Sequence, residues 1–266
     1  MDNAAEFGIA RLEQGNWRCE TSQTVQEFPL KLVVNGRDLV TLTASPHQLN
    51  QLAIGFLRLQ GFIDQLSELQ SLGVCADSGI AEARISKDVS TELTPTLTSG
   101  CGGGIAFNLP VEPPSSTDKE LDAAIAPQSI FKLMQSMTSR SERYRSHGGI
   151  HSAALGLDGE ILLHAEDIGR HNTLDRIAGQ ALLEDIPMQG QILVTSGRIS
   201  SEMAAKAARL ELALIASRTA VTDAAIKICR QYGITLIGYL RKDSMNIYAW
   251  PQRLIGSGRL VGANPR

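Results

Sequence analysis

The chain has 266 residues, of which 43% are hydrophobic, 20% charged and 5% aromatic, and its formal net charge is −3. This length suits one large domain or two smaller ones. The slightly acidic balance argues against a general nucleic-acid binder, which needs an excess of Lys and Arg, and the few aromatic residues argue against a base-stacking surface. Any anionic ligand must therefore be held by a local basic cluster.

The sequence carries no sign of export, of a membrane anchor or of a cysteine framework. Residues 1–6 form neither a basic leader nor an apolar run, and no stretch approaches the roughly 18 uninterrupted apolar residues of a membrane span. We therefore expect a cytoplasmic protein that does not contact membranes. The four cysteines are far apart and form no C-x-x-C pair, which argues against a disulfide scaffold and a four-thiolate zinc site. They are Cys19, Cys75, Cys101 and Cys229.

The first third of the chain predicts a small α+β unit after a tail. Residues 1–25 lack clear periodicity and are expected to be a loose tail. Residues 28–34 and 38–43 are rich in β-branched and apolar side chains, and the Asn35-Gly36 pair between them favours a hairpin turn.

A helix and two further strands complete this unit. Ser45 and Pro46 are typical of an N-cap and a first helical turn, apolar residues follow at helical spacing, and Gly61 ends the helix. Residues 72–74 and 80–85 predict short strands.

Residues 86–126 are dominated by Thr, Ser, Gly and Pro, and a stretch of this length without regular pattern is usually functional or disordered. Cys101 lies at its centre, next to Gly100 and Gly102 to Gly104. Glycines leave a thiol sterically open, as nucleophilic attack or sulfur transfer requires. The alternative is a glycine-rich linker with an incidental cysteine. Cys75 and Cys229 lie in apolar stretches and are expected in the core, whereas Cys19 gives no signal.

The second half predicts a layered α/β domain. An amphipathic helix at 130–137 precedes two strands around Asp158-Gly159, which is a second hairpin signal. Helices and strands then alternate, which indicates a sheet that is parallel in part. The predicted strands are 150–157, 160–164, 192–195, 234–240 and 245–250, and the predicted helices are 173–184, 200–218 and 222–232.

Two polar clusters follow strands and precede helices. In the first, Arg170 and His171 can donate to phosphate and Asn172 can cap the following helix, where free N–H groups favour anions. A purely structural network, with Glu166 or Asp167 paired to Arg170, remains an equal alternative for that segment. The second cluster has the same pattern, with Ser200 as the N-cap. Its candidate residues are Ser196, Gly197 and Arg198.

A third cluster, which carries positive charge, follows another predicted strand. Its candidate residues are Tyr239, Leu240, Arg241, Lys242, Asp243 and Ser244. Ligands of open α/β sheets bind beyond the carboxyl ends of the strands. We therefore expect Arg170, Arg198, Arg241 and Lys242 to converge on one edge. Three such clusters in a net-acidic chain favour a phosphate-bearing ligand.

Several known motifs are absent. No G-x-x-x-x-G-K-[ST] phosphate loop occurs, and residues 256–262 only approximate a dinucleotide fingerprint. His164 and Glu166 match the H-x-E half of a zinc deaminase signature, but the P-C-x-x-C half is missing, so no metal site is expected.

Taken together, these segments resemble the FdhD family of formate dehydrogenase accessory sulfurtransferases. The resemblance spans nearly the whole chain in order. It rests on LAIGFL at 52–57, GFI at 61–63, TSGCG at 98–102, GGIHSAA at 148–154, EDIGRHN at 166–172 with Asp175, TSGR at 195–198 and MNIY at 245–248. The EDxGRHN and TSGR segments are highly specific when they occur together.

The resemblance implies a protein that receives sulfur as a persulfide on Cys101 from a cysteine desulfurase. It implies delivery of that sulfur to the bis-molybdopterin guanine dinucleotide molybdenum cofactor, held as a substrate, before its insertion into the catalytic subunit of formate dehydrogenase. It also implies a homodimer, cofactor binding by residues 239–244, and a larger domain similar to the cytidine deaminase fold without its zinc site. The expected organisation is a tail at 1–25, a small α+β domain with the Cys101 loop at 26–125, and an α/β cofactor-binding domain at 126–266.

One departure from the family pattern concerns the second cysteine of the loop. The family usually has C-G-x-C-G, whereas this chain has Gly104 at the second cysteine. A relay between neighbouring thiols is therefore impossible in this loop, and we favour transfer by a single persulfide. The rival interpretations are a non-catalytic chaperone that shelters the cofactor, and a guanine-nucleotide-binding protein with another role.

Overall fold

A computed structural model describes residues 5–88, 96–97, 105–106 and 124–256. The first part contains β1 (Ala5–Glu13), β2 (Asn16–Thr24), β3 (Phe28–Val34), β4 (Arg37–Ala44), α1 (Leu49–Leu59), β5 (Leu69–Cys75), β6 (Ile80–Ile85), β7 (Thr96–Leu97) and β8 (Ile105–Ala106). The second part contains α2 (Pro127–Arg140), α3 (Glu142–His147), β9 (His151–Leu157), β10 (Glu160–Asp167), α4 (Arg170–Leu183), β11 (Ile192–Thr195), α5 (Ser201–Arg209), β12 (Leu214–Ser217), α6 (Asp223–Tyr232), β13 (Thr235–Gly238) and β14 (Asn246–Ala249).

The N-terminal segment is a hairpin and not the loose tail that its sequence predicts. Strands β1 and β2 pair antiparallel along their whole length, and the turn at Gln14-Gly15 has positive φ at both residues. Cross-strand ion pairs support the pairing, among them Arg11 with Glu20 at 2.6 Å. Both faces of the hairpin are largely exposed, and Trp17 is 72% exposed. Because no face is buried, the sequence carries no hydrophobic alternation from which the strands could be predicted.

The first larger sheet has four strands in the order β4-β3-β6-β5. The predicted hairpin between β3 and β4 is confirmed, since Asn35 and Gly36 both have positive φ, at 50° and 77°. Helix α1 packs on this sheet, and its apolar face joins the inward residues of the strands in one core. The predicted helix end at Gly61 is also confirmed by a φ of +80°.

The predicted N-cap of α1 is wrong. The helix begins at Leu49, four residues after Ser45, and the N-cap position is Gln48. Ser45 is instead buried and bonded to the second half of the chain. Its hydroxyl accepts from the Ile168 N–H at 3.1 Å, and its own N–H donates to Asp167 at 3.1 Å.

The second larger sheet has six strands in the order β10-β9-β11-β12-β13-β14. Strands β11, β12 and β13 are parallel, and the remaining pairs are antiparallel, which confirms a mixed α/β fold with a partly parallel sheet. Alternate strand residues enter two cores. One core includes Leu193 and Ile215 with side chains of α4, α5 and α6, and the other includes Val194 and Leu214 with side chains of α2. The sheet is therefore covered by helices on both faces.

The helix predicted over 200–218 is in fact a short helix followed by a buried strand. Helix α5 ends at Arg209, Glu211 takes a positive φ of 51°, and β12 begins at Leu214. All four residues of β12 are buried. A run of Leu, Ile and Ala is typical both of a buried helix and of a central parallel strand. The periodicity of the sequence therefore could not show that residues 214–217 form a strand.

Two glycines let α1 and α4 approach closely and join the two larger sheets. A Cβ at Gly55 would lie 1.6 Å from the backbone oxygen of Asp175, and one at Gly179 would lie 1.9 Å from that of Gln51. Any side chain at either position would force the helices apart. Among the described residues, no helix is long and apolar enough to cross a membrane.

Candidate functional site

Four strand ends meet at one edge of the six-stranded sheet. Strands β10, β11, β12 and β13 all run in the same direction, because β9 is antiparallel to both β10 and β11. Their carboxyl ends, and the first residue of β9, His151, therefore lie at one edge, where open α/β sheets bind ligands. We call this edge the rim; it comprises His151, Ser152 and the segments 168–171, 196–200, 217–221 and 239–244. The strands before the three polar clusters thus end at the same edge, whereas the convergence of Arg170, Arg198, Arg241 and Lys242 on one ligand stays a prediction.

Arg170 and Gly197 are in direct contact at the rim. Arg170 is the first residue of α4 and is only 7% exposed. A Cβ at Gly197 would lie 2.6 Å from Cβ of Arg170, 3.2 Å from its Cδ and 3.3 Å from Nδ1 of His151. The Arg170 side chain therefore packs over a backbone position that only glycine can occupy without displacing it.

Hydrogen bonds tie the rim segments into one continuous surface. Ser196 Oγ accepts from the Ser152 N–H at 3.0 Å. Ser217 Oγ donates to the Gly197 carbonyl at 2.7 Å, and the Ser217 carbonyl accepts from the Leu240 N–H at 2.9 Å. Sequence reasoning missed Ser217, because it lies in a segment predicted to be helical. It also missed His151 as a site residue, since a lone histidine at a strand start gives no local signal.

The segment 239–244 presents charge at the rim. Tyr239 is 43% exposed and has a positive φ of 52°, and its N–H donates to the Thr219 carbonyl at 2.9 Å. Leu240 differs from its neighbours because its side chain is buried in the core next to α2. A turn with an Arg241 N–H to Ser244 carbonyl bond of 2.8 Å closes the segment. The exposed residues are Arg241, Lys242, Asp243 and Ser244, and Arg198 on the neighbouring segment is also exposed.

His171 on α4 faces α5 and belongs to a buried row of ionisable side chains, which we call the ladder. Its members are His171, Asp175, Glu202 and Lys206. Nδ1 of His171 is 2.6 Å from Glu202 Oε2, and one turn deeper Lys206 donates to both carboxylate oxygens of Asp175, at 2.7 and 3.0 Å. Lys206 Nζ also lies 3.6 Å from Glu202 Oε1. Burial lowers the pKa of His171 against the opposing effect of Glu202, and it raises the pKa of Asp175 to about 6 against that of Lys206. The contact with the buried Glu202 therefore fixes the orientation of the His171 ring. The predicted contact of His171 with phosphate stays a prediction.

Asn172 is not the helix cap that the sequence predicts. Helix α4 begins at Arg170, two residues earlier, with Gly169 at the N-cap position. Asn172 is therefore inside the first turn, and its side-chain amide donates to the Thr43 carbonyl and to Asp167 Oδ1, both at 2.8 Å. It points toward the four-stranded sheet and acts as a structural link between the two sheets.

The H-x-E pair lies on one face of β10, and both side chains have protein partners. Glu166 accepts from the Tyr144 N–H at 2.9 Å, from the Arg143 N–H at 3.3 Å and from the Ser152 hydroxyl at 3.3 Å. His164 Nε2 lies 3.4 Å from the Ser141 hydroxyl. Glu166 thus stabilises the N-terminus of α3. Within residues 5–88, 96–97, 105–106 and 124–256, no group of three or more His, Cys, Asp and Glu side chains could hold a metal ion.

Cys101, the predicted persulfide residue, lies outside the described residues. The short strands β7 and β8 that precede and follow it in sequence pair antiparallel, although no regular structure was expected there.

The other three cysteines are free. Cys229 is buried as expected, and burial raises the pKa of its thiol to about 12. Cys75 is exposed and not in the core, because it alternates outward at the end of β5. Hydrogen bonds from Ser78 lower the pKa of the Cys75 thiol. Cys19 is exposed on β2.

Comparison with known proteins places these features in a family context. The FdhD/NarQ family model matches residues 25–255. A protein of Bacillus pumilus named sulfur carrier protein FdhD is 36% identical over 251 residues, which cover 92% of this chain and 95% of that protein. A protein of the same name from Staphylococcus aureus is 34% identical over 253 residues, covering 94% and 96%.

A solved structure from Desulfotalea psychrophila, described provisionally as a formate dehydrogenase accessory protein, has the same fold. It superposes with a TM-score of 0.75 at 21% sequence identity, covering 95% of this chain and 99% of that chain.

Proposed function

Because the chain belongs to the FdhD/NarQ family, we propose that it is a sulfurtransferase that carries sulfur to a molybdenum cofactor for formate dehydrogenase. Support comes from the relatives named sulfur carrier protein FdhD, which match this chain over nearly their whole length. The substrate that receives the sulfur is the bis-molybdopterin guanine dinucleotide cofactor, and the protein that takes up the finished cofactor is the catalytic subunit of formate dehydrogenase.

Cys101 is the residue that carries the sulfur in this proposal. Its thiolate attacks the outer sulfur of a persulfide on a cysteine desulfurase, so that a persulfide forms on Cys101 and the desulfurase thiol is released. The supporting observation is the sequence around the thiol, where Gly100 and Gly102 to Gly104 leave it sterically open. A single persulfide carries the sulfur in this proposal, because Cys101 and its glycine neighbours are intact although Gly104 stands at the second cysteine position of the loop.

The rim is the proposed binding surface for the cofactor, whose guanine nucleotide ends carry phosphates. Two groups of donors fit a phosphate there. Arg198, Arg241 and Lys242 are exposed cations, and the N-termini of α4, α5 and α6 follow strand ends at the same edge. The contact of Arg170 with Gly197, which brings together the segments that follow β10 and β11, is the observation that carries the assignment.

Guanosine diphosphate is a direct probe of this surface, since it reproduces the terminal nucleotide. A charge-assisted hydrogen bond is worth roughly 1.5–3 kcal/mol, so loss of one should weaken binding about tenfold or more. We expect Arg198→Ala and Arg241→Ala to weaken the affinity by that amount each, measured by calorimetry. Unchanged affinity in both variants would place the nucleotide elsewhere.

The proposal further includes that the protein is a cytoplasmic homodimer and that it receives sulfur from a cysteine desulfurase. The likeness of the larger domain to the cytidine deaminase fold belongs to the same proposal and is an expectation from the family resemblance. Sedimentation of the purified chain tests the dimer, and a pull-down with purified desulfurase tests the contact between the two proteins.

The decisive experiment is intact-mass measurement after incubation with a cysteine desulfurase and cysteine. We expect the wild-type protein to gain the mass of one sulfur atom and Cys101→Ser to gain none. Cys75→Ser is the matched control, because Cys75 is an exposed thiol whose pKa is lowered by Ser78. Sulfur that still accumulates on the Cys101→Ser protein would show that another thiol is the carrier.

Gly104 favours a second candidate function, a chaperone that binds the cofactor without carrying sulfur, because that role needs the rim and no thiol. The two functions differ in the effect of Cys101→Ser. A chaperone variant would still bind guanosine diphosphate and still support formate dehydrogenase maturation in a deletion strain. A sulfur carrier variant would bind the nucleotide and lose maturation.

A further inference from the structure

His151 occupies a defined position at the rim next to Arg170. It is the first residue of β9 and is half-buried. Its Nδ1 lies 3.3 Å from the Ser196 hydroxyl and 3.3 Å from the place that a Cβ at Gly197 would take. The same Gly197 position contacts the Arg170 side chain, so the imidazole and the Arg170 stem both border the space next to Gly197.

The hydrogen bonds around Ser196 favour one tautomer of His151. Ser196 Oγ already accepts from the Ser152 N–H at 3.0 Å. The Ser196 hydroxyl can then donate its hydrogen to Nδ1 of His151, which lies within hydrogen-bond distance at 3.3 Å. A neutral imidazole that accepts at Nδ1 carries its hydrogen at Nε2. In the described part of the chain Nε2 has no hydrogen-bond partner, so an N–H donor remains available there.

The surroundings of His151 favour the neutral ring. Burial and the positive charge of Arg170 lower its pKa, and Asp167 opposes them. Asp167 is itself paired with the buried charge of Arg176, which weakens its effect on the ring. The result is a donor whose presence does not depend on protonation near neutral pH.

We propose that His151 is a ligand-contacting residue of the rim, which donates a hydrogen bond from Nε2–H to a phosphate oxygen of the nucleotide beside Arg170. This inference rests on the proposed binding of a phosphate-bearing cofactor at the rim. Arg170 supplies positive charge for the phosphate, and the neutral His151 N–H supplies a hydrogen bond of defined direction. The pair therefore selects an oxygen acceptor at a defined position and not merely a negative charge.

Two substitutions of His151 separate a donor at Nε2 from the bulk of the ring. The side-chain amide nitrogen of His151→Gln can reach the position of Nε2, whereas that of His151→Asn reaches only the position of Nδ1. With guanosine diphosphate as the probe, we expect His151→Gln to bind within about threefold of wild type. His151→Asn should bind about tenfold more weakly, which corresponds to about 1.4 kcal/mol.

Nitrogen chemical shifts of the imidazole provide the second measurement. We expect the Nε2–H tautomer in the ligand-free protein at about pH 7 and a shift of the Nε2–H signal on addition of guanosine diphosphate. An Nδ1–H tautomer, or equal affinities of wild type, His151→Gln and His151→Asn, would overturn the inference.

The failure of this inference is distinguishable from failure of the proposed function. Sulfur loading on Cys101, measured by intact mass, should be the same in wild type, His151→Gln and His151→Asn, since the loading step does not use the rim. Normal loading with no effect of His151 on nucleotide affinity overturns only the assignment of His151. Absence of loading in all three proteins overturns the sulfur-carrier function.

Discussion

Asp167 and Arg176 form a fully buried ion pair beneath the rim. Asp167 Oδ2 accepts from Nε and Nη2 of Arg176 at 2.8 and 2.6 Å, and neither side chain is exposed. The same guanidinium donates to the carbonyls of Ser45 at 2.8 Å and Gln48 at 3.1 Å. The pair therefore fixes the loop before α1 to the end of β10. Asp167 is an internal clamp, although it lies three residues from Arg170, the predicted ligand contact.

The first prediction is that Asp167→Asn is strongly destabilising. The variant keeps the shape of the side chain but leaves the Arg176 charge buried without its counter-ion. Removal of one partner of a buried pair costs about 3–5 kcal/mol, so the free energy of unfolding in urea should fall by that amount. Lys31→Ala is the control, because Lys31 pairs with Asp38 on an exposed surface and should change stability by less than about 1 kcal/mol. Similar small changes in both variants would contradict the clamp.

The second prediction concerns the glycine contact between α1 and α4. Gly55→Ala would place a methyl group 1.6 Å from the Asp175 backbone oxygen, and backbone cannot rotate away as a side chain can. The helices must separate, and we expect a loss of about 3 kcal/mol or more in the free energy of unfolding. Gly73→Ala is the matched control, since a Cβ there meets nothing within 4 Å. A Gly55→Ala protein as stable as Gly73→Ala would show that the helices are further apart.

The sequence correctly predicted those elements whose own residues favour the structure that they adopt. The hairpins at Asn35-Gly36 and Asp158-Gly159 form as expected, because both turns need two residues with positive φ and these pairs tolerate it. The strand at 192–195 is also confirmed, since it is short, apolar and followed by turn residues. In each case the residues of the turn or strand favour the observed backbone conformation without contacts to residues distant in sequence.

The errors arise where distant contacts decide. Ser45 has the signature of an N-cap but bonds to Ile168 and Asp167, 123 and 122 residues away in sequence. Asn172 likewise leaves its predicted cap role for contacts with Thr43 and Asp167. A sequence pattern of periods 2 and 3.6 contains no information about such long-range partners.

At the site, the sequence could predict that the charged clusters follow strands that end at one edge, but not which residues face a ligand. Strand direction alone brings Arg170 and Arg198 to one edge. Whether a side chain points outward depends on packing. Helix packing places His171 inside the ladder with Glu202, and neighbouring strands place His151 at the rim.

The third prediction links the rim to binding through Gly197. Gly197→Ala should push the Arg170 side chain away, because the new Cβ would lie 2.6 Å from Cβ of Arg170. We expect about tenfold weaker binding of guanosine diphosphate, measured by calorimetry, with a loss of unfolding free energy of about 1–3 kcal/mol. Arg170→Met is the companion variant, since it keeps the stem and removes the charge. If both proteins bind the nucleotide as wild type does, Arg170 does not contact it.

The fourth prediction is a pH dependence of stability that depends on His164. Burial lowers the pKa of His164 from its ordinary value of 6.5, and the charges of Arg140 and Arg143 add to this effect against Glu166. The folded state thus prefers the neutral ring. The stability that this ring contributes is complete above pH 6.5 and is lost as the pH falls through the lowered pKa.

His164→Gln isolates this contribution, because the glutamine amide can keep the contact with the Ser141 hydroxyl and does not titrate in this range. We expect wild type to lose more unfolding free energy than His164→Gln when the pH falls from about 7.5 to about 5.5, measured by urea unfolding. His151 and His171, whose pKa values are also lowered by burial, remain in both proteins and cancel in the comparison. Asp175 cancels too, although its pKa of about 6 acts in the opposite direction, with stability lost as the pH rises through that value. Parallel pH profiles of the two proteins would mean that His164 titrates equally in the folded and unfolded states, and its burial beside Ser141 would then have no effect on its protonation.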